Sequence, residues 1–359
     1  MRCSLTPHNI LPVKARFFVE HLKYLMFFVI YFAPSAFSRA GADPFAFFRP
    51  SVTITASERV RLDSGYPFAR ILQANGLEVA VLAAVAVSID GDRLVAWERR
   101  VEDLKKSKYV LAIGRFSDPP RIEDLAGLAL DSTDVAAIKS CRPGRCNLKL
   151  SAVEMAQLQR VASQAAGDPS VAIQQAFRKI ILDRVQQYQA NGYIPPYEDH
   201  GRDVQPSSRF ALLLDHTQFL KDRLPELVKD LRHYPFNADN GADSFFYWSK
   251  ERPARKAIVS VTHVRVVRSH NADLPDALIV GKDIFSSHYV DASLSMTALM
   301  RGDPKGKNYL VYVNRTEVDV LHGIWEGTIR HSMQSHLKNT ANILRDLRQR
   351  LESGDPPRE

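Results

Sequence analysis

Three stretches of the chain hold side chains able to do chemistry. The first is Val259-Ser260-Val261-Thr262-His263-Val264, where His263 shares a strand face with Val259, Val261, Arg265 and Val267. A histidine turned inward among valines can serve as a general base or ligand donor; the same placement suits a hydrogen-bonded core histidine. The second is Ser286-Ser287-His288-Tyr289-Val290-Asp291-Ala292-Ser293. His288, Asp291 and a neighbouring serine superficially match a serine–histidine–acid set, but no serine sits in a strained nucleophile elbow, which argues against that chemistry. Along this segment Tyr289, Asp291, Ser293, Ser295 and Thr297 form a polar row, alternating with His288, Val290, Ala292, Leu294 and Met296. The expectation is an ordinary two-faced strand, with its apolar row against a closing helix and its polar row in solvent. If the polar row turns inward instead, Tyr289 and Asp291 become the hydrogen-bonding pair of a pocket floor. The third stretch is Phe245-Phe246-Tyr247-Trp248, whose rings alternate between faces. Two should point inward, as core or as the wall of an apolar pocket, which makes Tyr247 and Trp248 pocket candidates.

Other groups read as inert. His331 and His336 lie five residues apart on a helix, so they point about 140° apart and cannot share a metal. Glu198-Asp199-His200 follows a Pro-Pro break and reads as a solvated loop. There is no H-E-x-x-H, P-loop or dinucleotide fingerprint, so neither a metal nor a cofactor is expected.

Cys141-Arg142-Pro143-Gly144-Arg145-Cys146 contains the Pro-Gly pair of a type II turn. Such a turn brings the cysteines to the separation a disulfide needs. A redox pair is the rival reading, since two arginines would lower a thiol pKa, but C-x4-C is not the redox spacing.

The chain carries a net charge of +8, with 45% hydrophobic and 25% charged residues. Residues 1–42 hold Arg2, Lys14, Arg16, Lys23 and Arg39 against Glu20, half of that net charge. The remainder has no run of five like charges, so no nucleic-acid partner is expected. Basic residues, the apolar run Tyr24–Phe37 and Ala40-Gly41-Ala42 have the order of a secretory signal. Residues 1–42 are therefore expected to be a signal peptide, and the protein exported to the periplasm or secreted, where a disulfide persists. An uncleaved leader would be its only membrane contact.

Residues 43–76, with Pro44, Pro50, Pro67 and scattered aromatics, read as a peripheral segment. Strands are expected at Leu77–Ser88 and Tyr109–Phe116, with a helix over Leu94–Leu104 between them and a hairpin, Asp134–Lys139 and 147–150, around the cysteine turn. Residues 151–234 read as a helical insertion, opened by a Ser151/Glu154 capping box. Strands resume at Ser244–Ser249, at Ala257–Arg268, over Ala277–Met300 as one long bulged strand or two strands bent near Ser286-Ser287, and at Tyr309–Val313. Ile329, Met333, Leu337, Thr340, Leu344, Leu347 and Leu351 then form one helical stripe. The fold class is α+β: a curved antiparallel sheet gripping a long C-terminal helix, in one domain over residues 77–353 with a tail at 354–359.

That order resembles the START-like, or Bet v 1-like, helix-grip superfamily, which includes polyketide cyclase-type domains. The resemblance rests on Leu77–Ser88, the strands of 244–313 and the helix 329–351, with 151–234 a departure from the plain pattern. The 286–293 segment and Tyr309–Arg315 are also similar to a group of uncharacterised exported bacterial proteins. The superfamily implies an apolar or amphipathic ligand between sheet and helix and has no universal catalytic residues. The expected function is binding of such a small molecule. The alternatives are an envelope interaction module using the helical insertion, and an enzyme using His263 or His288 with Tyr289 and Asp291.

Overall fold

Val- and Ile-rich runs on both sides of a helical block supply one sheet. The computed structural model describes residues 43–354 except 147, 200, 236–242, 253–255, 303–306 and 320–325, and describes 326–339 by backbone alone. The strands are β1 (Phe68–Leu72), β2 (Glu78–Val87), β3 (Val110–Arg115), the short β4 (Tyr197–Asp199) and β5 (Arg202–Val204), β6 (Ser244–Glu251), β7 (Ile258–Arg268), β8 (Ala277–Ser286), β9 (Val290–Met300) and β10 (Asn308–Val318). The helices are α1 (Ala56–Asp63), α2 (Gly91–Glu98), α3 (Val101–Leu104), α4 (Ser132–Ala137), α5 (Ala152–Gln164), α6 (Ser170–Asn191), α7 (Pro206–Asp215), α8 (Gln218–Arg223), α9 (Pro225–His233) and α10 (Glu326–Ser353). Eight strands pair antiparallel in the order β1-β2-β10-β9-β8-β7-β6-β3, and β4–β5 form a separate hairpin. No described helix is long and apolar enough to cross a membrane.

Helix starts follow local chemistry. Thr55 with Glu58 and Ser151 with Glu154 form capping boxes, and Asp90 accepts from the Arg93 amide. Pro206 and Pro225 open α7 and α9, where a missing N–H costs nothing. Gly192, at φ 72°, ends α6; a Cβ there would lie 2.0 Å from the Tyr234 carbonyl oxygen.

Both sheet faces are covered, which is why β2 is an unbroken apolar run rather than an alternating one. On one face Leu82, Leu294, Met296 and Val313 pack under α1, α7, α8 and α9, and Phe246, Trp248, Val261 and Phe285 continue that layer under α5 and α6. On the other face Val85, Phe245, Val264, Ile279, Leu299 and Leu310 pack with α2, α3 and Leu344 and Leu351 of α10.

Several expectations need correction. Residues 43–76 are integral: Phe45, Phe47 and Phe48 are buried, the last two edge-on to Phe219, and β1 extends the sheet. Aromatics among prolines have no period, so only tertiary burial reveals their role. Residues Asp134–Lys139 are helical, in α4 and a 3-10 turn, so no hairpin frames the cysteines. The turn itself forms as expected: Gly144 has φ 69°, the Arg145 amide donates to Arg142, and Cys141 and Cys146 are joined with Cα atoms 4.8 Å apart. The Leu94–Leu104 helix is two, broken at Arg99 and Arg100. The apolar row of β9 meets α7, not the C-terminal helix. The packing described for α10, from Thr340 to Ser353, is short. It places Leu344, Leu347 and Leu351 over β1, β2 and α2, at one side of the sheet. A long helix gripping the middle of the sheet is not supported, and the stripe residues Ile329, Met333 and Leu337 lie outside the described side chains, as the leader 1–42 lies outside the described residues altogether.

Candidate functional site

The six residues singled out from sequence fall in four separate places. All four rings of Phe245–Trp248 are buried, two on each face; the Trp248 indole donates to the Asp124 carbonyl. His263 is sealed between Phe246, stacked at 4.6 Å, and the rings of Tyr188 and Tyr234. Its Nε2 lies 2.8 Å from Ser244 Oγ and its Nδ1 3.3 Å from Tyr188 Oη. Burial, with Arg265 and Lys282 nearby, holds the imidazole well below its usual pKa, so it is a neutral core histidine. Its neighbours are also buried: Arg265 lies 2.9 Å from Asp230, and Lys282, pushed down to about 8 by burial, donates to the Leu231 carbonyl.

His288 and Asp291 do not form one catalytic set. His288 Nε2 lies 3.0 Å from Asp134 Oδ2, while Tyr289 turns the chain at φ 62° and accepts the Asp319 amide. Asp291 leaves the polar row because Glu317 pairs with Ala292 and Val318 with Val290, making Asp291 the extra residue of a β-bulge. Thus re-aimed, it accepts from Lys149 and, at 2.6 Å, from the Tyr197 hydroxyl. Lys149 also lies 2.8 Å from Asp319, and Arg202 2.7 Å from Asp199. Oxygens of Asp199, Asp291 and Asp319 lie within 4.8 Å of one another, a spacing that could hold a metal, but Lys149 already supplies the cation there. The adjoining cavity, lined by Lys149, Arg184, Tyr197 and Asp291, is of about water size. Lys149 and Asp291 keep 4% and 0% of their side-chain surface exposed.

The opposite face carries a different assembly. Successive strands contribute Tyr247, Ser249 and Glu251 (β6), Thr262 (β7), Asp283 (β8), Ser295 and Thr297 (β9) and Tyr312 (β10), with Glu98 from α2 and Lys105 just after α3. Register brings them together: Tyr247 pairs with Thr262, Thr262 with Asp283, and Thr297 with Tyr312. Gly281 permits the close approach, since a Cβ there would lie 2.5 Å from Ser295 Oγ. Lys105 Nζ lies 2.8 Å from Glu251 and 3.1 Å from the Tyr247 hydroxyl, and Thr262 donates to Asp283 at 2.7 Å. Among the described residues Glu98 and the Tyr312 hydroxyl have no hydrogen bond, and Asp283 has only that from Thr262.

These groups lie deep yet reachable. Burial pushes Asp283 up to about 6, Glu98 to about 7 and Tyr312 to about 12. Lys105 and Glu251 nevertheless keep 33% and 32% of their side-chain surface exposed. Deep surroundings are thus combined with retained surface around Lys105 and Glu251. Toward Phe245, Val264, Ile279, Leu299 and Leu310 the same face is apolar, so the floor is polar at one end and oily at the other.

Of this assembly, the sequence pointed to Tyr247 as a pocket candidate and to Ser295 and Thr297 in the polar row of β9. The missed signal was Asp283, a carboxylate inside the apolar run Ala277–Phe285. No protein-family model matches the chain, and no curated protein does.

Proposed function

We propose that this protein binds an amphipathic small molecule on the sheet face shared with α2, α3 and α10. Its apolar part lies along Phe245, Val264, Ile279 and Leu310, and its polar end meets Lys105, Tyr247, Asp283 and Tyr312. One observation carries the reading: Glu98, Asp283 and the Tyr312 hydroxyl are deeply set with hydrogen-bonding capacity unused, beside an apolar floor. Ligand pockets combine these two features, a mostly apolar wall and a few convergent polar groups. The reading keeps the kind of ligand that the helix-grip resemblance implies, and export of the chain after loss of residues 1–42. The Cys141–Cys146 pair is compatible with an oxidising compartment. The interaction-module alternative has less support: the exposed large apolar side chains of the helical block, Val153, Val171, Tyr193 and Leu212, are spread over different elements.

Nile red titration, with native mass spectrometry of the purified protein, tests the proposal. Saturable dye binding that weakens at least fivefold in Tyr312→Ala and Phe245→Ala, both still folded by circular dichroism, is expected. A protein that carries no co-purified molecule and takes up no dye would overturn it.

A further inference from the structure

We propose that Asp199, Asp291 and Asp319 form a divalent-cation site in which the chain's own Lys149 ammonium takes the place of the ion, and that a calcium-sized cation binds there once the lysine is removed. The site lies on the other sheet face from the proposed ligand and is independent of it.

One oxygen from each of the three carboxylates lies within 4.8 Å of the others. That is about twice a calcium–oxygen bond of roughly 2.3–2.6 Å, so one centre can touch all three. Tyr197 adds a fourth oxygen: its hydroxyl donates to Asp291 at 2.6 Å and lies 3.4 Å from Lys149 Nζ. Lys149 Nζ sits among these oxygens, donating to Asp291 Oδ1 and lying 2.8 Å from Asp319 Oδ2. It does not satisfy them all. Asp291 Oδ2 is buried without a hydrogen bond, on a side chain wholly closed to solvent, and the Arg202 guanidinium stays 3.9 Å away. The reason is the donor count. An ammonium has three N–H groups, spent here on Asp291, Asp319 and Tyr197, whereas a calcium ion takes about six to eight oxygens. Removing the lysine strands buried carboxylates without their cation, which is costly, and an ion in its place removes that cost. With its cation carried on the chain, the start of β9 closes against the β4–β5 hairpin without an ion from solution. The wild-type fold is therefore indifferent to calcium and to chelator.

The test is thermal unfolding of the full chain by circular dichroism, wild type and Lys149→Ala, in calcium chloride or in choline chloride of equal ionic strength with EDTA. Calcium at ~5 mM is expected to raise the midpoint of Lys149→Ala by roughly 4 °C or more, and that of the wild type by under about 1 °C. Adding Asp319→Ala to Lys149→Ala should abolish the response. Should Lys149→Ala not fold in choline, refolding from urea in the two salts is the readout: recovery with calcium alone supports the site, and failure in both overturns it. A folded Lys149→Ala that ignores calcium overturns the proposal. So does an equal response in the wild type, which would place the ion elsewhere. A response that survives Asp319→Ala overturns the three-carboxylate assignment.

Discussion

Two lysine–carboxylate assemblies lie on opposite faces of the same sheet. Around Lys149 the lysine has two carboxylate neighbours and a tyrosine, and the β4–β5 hairpin brings Asp199 and Arg202 beside it. Around Lys105 one ammonium pairs with one carboxylate, two further carboxyls have no ion pair among the described residues, and surface stays accessible. Both are built from lysine, acid and tyrosine, so residue type does not separate a structural cluster from a binding cleft. Exposure does: the closed cluster, in which Asp291 Oδ2 and Arg202 Nη1 are buried without a hydrogen bond, fixes geometry, and the group that keeps surface accessible leaves room for a ligand to interact.

The sharpest way to break that contrast is to remove one acid from each. Asp291→Ala strands Lys149 in a closed site beside Asp319 alone, and is expected to lower unfolding free energy by about 3–5 kcal/mol in urea titration. A loss under about 1 kcal/mol would show that the cluster is not the fixed element.

The disulfide belongs to the same side. Gly144, inside its loop, bridges to Asp199, and Lys149 follows three residues after Cys146. Cys141→Ser with Cys146→Ser should cost about 2 kcal/mol, the loop-closure value for so short a ring. Nile red binding should be unchanged, because the loop and the cleft lie on different faces; a parallel loss of dye binding would erase the distinction between them.

The smallest effect is expected in the cleft and has the opposite sign. Asp283 titrates near 6 in the folded chain against 3.8 ordinarily. Its ionisation therefore opposes folding above about pH 6, and this penalty fades as pH falls toward 4. Asp283→Asn should be more stable than wild type at pH 7.5 by about 1 kcal/mol, after discounting for partial exposure, with the gap closing at pH 4.5 in paired urea titrations. A destabilised Asp283→Asn would place Asp283 among the structural acids.

Much of the scaffold was legible because it depends on local rules. The Ser151/Glu154 box, the Asp90 cap, the Pro-Gly cysteine turn and the strand runs after Ser244 each carry their signal within a few residues. Phe47 and Phe48 were misread because their burial depends on Phe219, far along the chain. The cleft was nearly invisible for a related reason. Lys105, Glu251, Asp283 and Tyr312 come from elements far apart in sequence, and only strand register makes them neighbours. Two bulges complete the disguise. Ile284 is an extra residue between the Val261–Phe285 and Thr262–Asp283 pairs, and Asp291 an extra residue opposite Glu317 and Val318. Strict alternation, the only rule a sequence offers for strand faces, fails at such positions.

Lys282 on β8 reaches the last turns of α9 through the Leu231 carbonyl, and Arg265 on β7 reaches Asp230 of the same helix. These two links, both closed to water, fasten a block inserted between distant strands to the middle of the sheet. Peeling that block away would leave two cations stranded on bare strands. Insertion and sheet therefore melt as one cooperative unit rather than as separable halves.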